Sequence, residues 1–145
     1  MSLVEQIKNA IESYIGTLLP NFSNSQYIWE PLNNSESKSK LYYAIRPRSA
    51  SFVTGTCNTI TIDQDFVIEL GDSFRNKKDT DSDADEKIYA IYLAHETIYK
   101  ALMRDNFNIA RVQVVSGFNI NEPEVNKDNK TVKIESIFTV RYRTE

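Results

Sequence analysis

Near the start of the chain, apolar residues recur at three- and four-residue steps: Leu3, Ile7, Ala10, Ile11, Tyr14, Ile15 and Leu18. That spacing lines one face of an α-helix. Ser2 and Glu5 stand ahead of it at capping-box spacing, each able to satisfy an amide left unpaired at a helix start. Pro20 cannot continue the helix, so its end is expected near Leu18 or Leu19. A second stripe, Ile88, Ile91, Tyr92, His95, Ile98, Tyr99 and Leu102, predicts a second long helix with Arg104 near its negative end.

Elsewhere the period switches to two. Leu41, Tyr43 and Ile45 alternate with Tyr42, Ala44 and Arg46, which predicts a strand stopped by Pro47. Residues 49–58 carry no clear period; Phe52-Val53 reads as a short paired piece and Gly55 as a bend. Ile60, Ile62, Phe66, Ile68 and Leu70 share one parity, and Thr59, Thr61, Asp63, Asp65 and Glu69 the other. This predicts a half-buried strand with one wet face, ended by Gly71-Asp72. Val112, Val114, Phe118 and Ile120 alternate with Arg111, Gln113 and Asn119, and Val132, Ile134, Phe138, Val140 and Tyr142 with Lys133, Glu135, Arg141 and Arg143. Two paired strands follow, with turn-forming residues at 126–130 between them and Pro123 tolerated at a strand end.

Two striped helices and at least four alternating strands predict an α+β fold, a mainly antiparallel sheet with both helices on one face, in the order α-β-β-α-β-β. No composition shift divides the chain, so residues 1–145 are expected to form one domain with polar loops at 21–40 and 76–86. A domain of 145 residues hides roughly two-thirds of its unfolded surface, enough for a core without disulfides or metal.

Charge and cysteine usage then narrow the classes of function. A net charge of -3 gives no basis for tight, sequence-independent nucleic-acid binding. The single Cys57 cannot form an internal disulfide and fits a reducing compartment. The first residues lack the basic-then-apolar layout of an export signal, and no apolar run approaches a membrane span of about 20 residues. The expectation is a soluble protein made in a cytoplasm, with no membrane partner. The sequons at Asn21, Asn33 and Asn129 then carry no glycosylation meaning.

The candidate chemistry is sparse. Asp79, Asp81, Asp83 and Asp85 alternate like the start of a calcium loop, but Ala84 stands where the turn glycine belongs and Ala90 where the closing glutamate belongs. The run is better suited to solvating a loop and placing carboxylates at a positive helix start. His95 is the only histidine and lies on an apolar stripe beside Glu96, which points elsewhere on a helix. A buried, hydrogen-bonded structural histidine is the favoured reading over a general base. Cys57 has no base signalled near it, and the four glycines are isolated, so neither thiol catalysis nor a phosphate-cradling loop is expected. No catalytic set, metal site or cofactor is expected. Arg46/Arg48, Arg111 and Arg141/Arg143 either decorate a solvated sheet face or face DNA or an acidic partner.

A strand with acidic tips, a helix of about five turns, and a closing hairpin together resemble the tail terminator proteins of tailed bacteriophages. The run from Val132 to Arg143 is similar to that family's last strand, and the opening helix and length suit it. The resemblance implies a structural, non-enzymatic subunit of the virion tail or neck, assembled in the host cytoplasm. It implies a homo-oligomer, a hexameric ring that caps the tail tube and joins it to the head connector. Its partners are then other copies of itself, the tail tube protein and the connector, with DNA only passing through the lumen. Under that reading Tyr27, Ile28 and Trp29 are interface anchors, though they could equally fold back on the core. Asp79, Asp81, Asp83 and Asp85 would face a basic neighbour, and Arg111, Arg141 and Arg143 the lumen or a partner. Two readings of other classes stand beside it. One is a monomeric small-molecule or peptide-binding module using the open sheet face. The other is a metal-dependent hydrolase built on His95 and the 79–85 carboxylates.

Overall fold

The computed structural model describes residues 2–24, 41–56, 58–73, 82–103, 107, 109, 111–126 and 130–144. Helix α1 spans Leu3–Leu18, and the Ser2 hydroxyl accepts from the Glu5 amide at 3.1 Å, as the capping spacing predicts. Its stripe is real: Ile7, Ile11 and Ile15 are fully buried, with Leu3, Ala10 and Tyr14 packed beside them. Helix α2 spans Ser82–Leu102, with Asp83 and Asp85 in the first turn, where carboxylates favour the positive end. Ile91, His95, Ile98 and Leu102 form its buried side. The predicted end charge, Arg104, lies outside the described residues.

Among the described residues, six strands make one sheet: β1 (Ser23–Asn24), β2 (Tyr42–Thr56), β3 (Thr59–Ser73), β4 (Val112–Ile120), β5 (Glu124–Asn126) and β6 (Thr131–Thr144). The spatial order is β1-β2-β3-β6-β4, and β5 also pairs with β6, just beyond β4. All pairs are antiparallel except β1 with β2. The α+β class and the α-β-β-α-β-β order are therefore correct, with the short β1 and β5 added. Both helices pack on the face carrying Tyr43, Ile45, Phe66, Ile68, Leu70, Ile134, Phe138 and Val140, and this is one continuous core. Stacking of Phe138 on Phe66 (5.9 Å) and on Phe118 (5.8 Å) ties three strands together inside it.

Three strand predictions need correction. Pro47 does not end β2, which runs on to Thr56 with Pro47 opposite Phe66. Beyond Pro47 the only described pairing of β2 is with β3, so a missing amide costs no ladder bond on the other side, and a register shift between Pro47 and Ala50 absorbs the ring. Residues 49–56 are therefore strand, and Gly55 pairs with Ile60 rather than marking a bend. Likewise β3 does not stop at Gly71, which pairs with Tyr42 and Lys133.

The third correction concerns β4. Its alternation breaks twice, between Val112 and Val114 and between Ser116 and Asn119, where β4 carries an extra residue against β6. Val115, on the parity expected to be wet, is consequently buried. Gly117 sits in the second bulge at φ +68°, a backbone region open to glycine at little cost. Pro123 falls in the break between β4 and β5, as a strand-end proline should.

Candidate assembly surface

Three surfaces outside the core carry the functional question: the sheet face away from the helices, the outward side of α2, and the free end of the β2–β3 pair. The first holds the polar parity of the strands. Glu69 and Glu135 lie directly opposite each other on β3 and β6, a repulsive pairing on its own. Arg46 on β2 sits between them, 3.2 Å from Glu135 and 3.9 Å from Glu69. Lys133 adds a second cation, 3.5 Å from Glu69, 3.3 Å from Glu124 and 3.9 Å from Glu135. Burial alone would lower the Lys133 pKa, but those three carboxylates outweigh it and raise it.

The Tyr42 hydroxyl donates to Glu69 at 3.0 Å; burial first, and the neighbouring carboxylates second, push its pKa well up. Its ring lies across Gly71, where any Cβ would overlap it. Here glycine is required by a close approach. Val67 and Ala44 are buried beneath these side chains, so this face is polar and cross-linked rather than freely wet.

Further along the same face, Arg141 grips Asp63 with two donors, Nε to Oδ1 at 2.8 Å and Nη2 to Oδ2 at 3.0 Å. The bonds from Arg141 hold the Asp63 carboxyl below its usual range. Asp65 accepts from Thr139 at 2.6 Å and from Ser49 at 3.2 Å. Arg141 is therefore engaged within the sheet, opposite Asp63. Arg111 and Arg143 are exposed neighbours, joined by a backbone bond from the Arg143 amide to the Arg111 carbonyl at 3.0 Å. All three arginines cluster at one end of the sheet, near the turn between β2 and β3.

Of the predicted acidic residues, Asp83 and Asp85 stand at the start of α2, while Asp79 and Asp81 lie outside the described residues. The anchors Tyr27, Ile28 and Trp29, and Cys57, lie outside them as well. Among the described residues, no three of His, Cys, Asp and Glu come together as metal ligands would.

His95 is fully buried, and its Nε2–H donates to the Ile134 carbonyl at 2.9 Å, since a carbonyl can only accept. Its Nδ1 has no partner among the described residues, nor does the Ser136 hydroxyl. Burial, partly opposed by the bond to Ile134, lowers its pKa to about 4. The ring is neutral at pH 7 and inside the core, which suits a structural histidine and removes it from reach of a substrate.

Sequence reasoning missed two apolar surfaces. Phe52, Val53 and Ile60 are 77%, 40% and 41% exposed at the free end of β2 and β3, and with Gly55 they line a shallow groove of about 350 Å³. Tyr89 and Leu93, 73% and 64% exposed, lie one turn apart on the outward side of α2. Both signals were present: Ile60 continues the core parity of β3, and Tyr89 and Leu93 are large apolar residues off the α2 stripe.

No protein-family model matches the chain, and no curated protein matches it in sequence. Among solved structures, the fold is similar to that of a chain described as the virion of a native gene transfer agent (GTA) particle. The two share a TM-score of 0.55 and 13% identity over 95% of each chain, so what they have in common is the fold.

Proposed function

We propose that this chain is a structural subunit of a tailed-phage-like virion and acts as tail terminators do, closing the end of a tail tube as a ring. The observation that carries the reading is the fold likeness, along nearly the whole of both chains, to a component of a gene transfer agent virion. A ring subunit needs surfaces rather than chemistry. The exposed apolar groups on the β2–β3 end and on α2 are the kind of surface such a role requires. In this reading the partners are other copies, the tube protein below and the head-side connector above. DNA passes through the lumen without being bound in sequence.

The test is the mass of the purified protein across a concentration series, by light scattering coupled to size exclusion, with negative-stain imaging. A discrete species of about six copies that images as a ring is the expected result. A pull-down of tube protein by that species is the second expected result. The small groove between Phe52, Val53, Gly55 and Ile60 favours one other reading, a monomeric module binding a small molecule or peptide. A monomer at every concentration that takes up a ligand in that groove would replace the ring with it.

A further inference from the structure

The two exposed apolar surfaces stand at opposite ends of the molecule. Lys87, in the second turn of α2, bonds Asp72 at 3.1 Å and ties the start of that helix to the last residues of β3. Ile60 is at the other end of the same strand, and the strand between spans roughly 40 Å. The Tyr89–Leu93 ridge is therefore out of reach of the Phe52–Ile60 groove within one chain.

Their surroundings differ in charge. Asp85, Glu86 and Glu96 outnumber Lys100 among the exposed charges around the ridge, whereas the exposed Arg111 and Arg143 stand at the end of the sheet that carries the groove, with Arg48 exposed four residues before Phe52 on β2. An apolar ridge with an acidic rim and an apolar groove at a basic end are complementary in both respects.

We infer that the occupant of the groove is a second copy of this chain, whose Tyr89 and Leu93 seat against Phe52, Val53 and Ile60. Each copy then offers one groove and one ridge, and a contact that uses one patch from each copy, rather than a reciprocal pairing of both, leaves one of each free. Such a contact joins different patches head to tail, and it propagates into a closed ring or a filament rather than stopping at a dimer. The inference rests on the ring reading above and names the surfaces that would close it.

The full chain tests it, with Cys57→Ser removing the native thiol. Phe52→Cys and Leu93→Cys proteins are prepared separately, mixed, and oxidised mildly. The mixture is expected to give a covalent dimer that neither protein gives alone. In parallel, Phe52→Ser and Leu93→Ser are each expected to raise the dissociation constant for self-association by at least about tenfold, with an unchanged circular dichroism spectrum.

A disulfide formed as readily by Leu93→Cys alone would mean a symmetric contact and overturn the inference. So would a discrete oligomer that survives both serine variants without mixed disulfide, although the ring reading would then stand. A wild type that stays monomeric throughout and yields no mixed disulfide would overturn both.

Discussion

The two ends of β3 carry the same alternation and end differently. At one end Phe66, Ile68 and Leu70 are fully buried beneath the helices; at the other, Ile62 is half-covered opposite Phe52, and Ile60, opposite Gly55, is exposed. Composition does not separate them, because isoleucine occurs at both. Length does. A strand of 15 residues reaches about 50 Å, while the 21 residues of α2 reach about 32 Å. The strands outrun the helix layer, and the apolar stripe continues past its cover. A hydrophobic parity thus marks a face that gains by burial without saying what buries it.

That contrast can be broken from the covered end first. Leu70→Ala or Phe66→Ala should cost about 3–5 kcal/mol in urea unfolding, from lost burial plus the cavity left behind. If either cost under about 1 kcal/mol, the helix layer would not be the seal described.

His95 gives a pH test of the same end. Its folded pKa of about 4 lies below the ordinary 6.5. The unfolded chain therefore takes the proton first as pH falls. This contribution is fully present above pH 6.5 and is lost between about 6.5 and 4, a total of roughly 3 kcal/mol. Unfolding at stepped pH should show that loss, and an imidazole titrating near 6.5 by NMR in the folded protein would refute it.

Gly71→Ala pushes a Cβ into the Tyr42 ring and should cost about 1–3 kcal/mol. Pairing it with Tyr42→Ala should return part of that loss in a double-mutant cycle. Smaller still, Arg46→Ala leaves Glu69 and Glu135 facing each other with Lys133 as the remaining cation. About 1 kcal/mol is expected, shrinking as salt is added. Least of all, Phe52→Ser should change the monomer's stability by under about 0.5 kcal/mol, because the ring is already in water. A large thermal shift there would show that the free end is packed after all.

The parts legible in the sequence were those with a repeating local cause. The cap at Ser2, the stripe of α1, the polar and apolar parities of β3 and β6, and the structural role of His95 follow from period and chemistry within a few residues. Pro47 misled because its cost depends on whether a neighbouring strand needs its amide, which is a property of the sheet. The parity of β4 failed at bulges that register against β6 decides. The candidate surface was half legible. Arg111, Arg141 and Arg143 were marked as a group, yet only the pairing of Asp63 opposite Arg141 separates an arginine held within the sheet from two at its end.

What the sequence by itself determined is therefore the class of fold, the order of its main elements and the sparseness of its candidate chemistry. These depend on periodicity and on residue types in short windows. Tertiary structure alone decided which apolar positions remain uncovered, which opposed carboxylates are bridged by Arg46 and Lys133, and that Gly71 must stay bare beneath Tyr42. Each of those turns on residues that are distant along the chain and meet only across strands, and helix length against strand length sets where the cover ends.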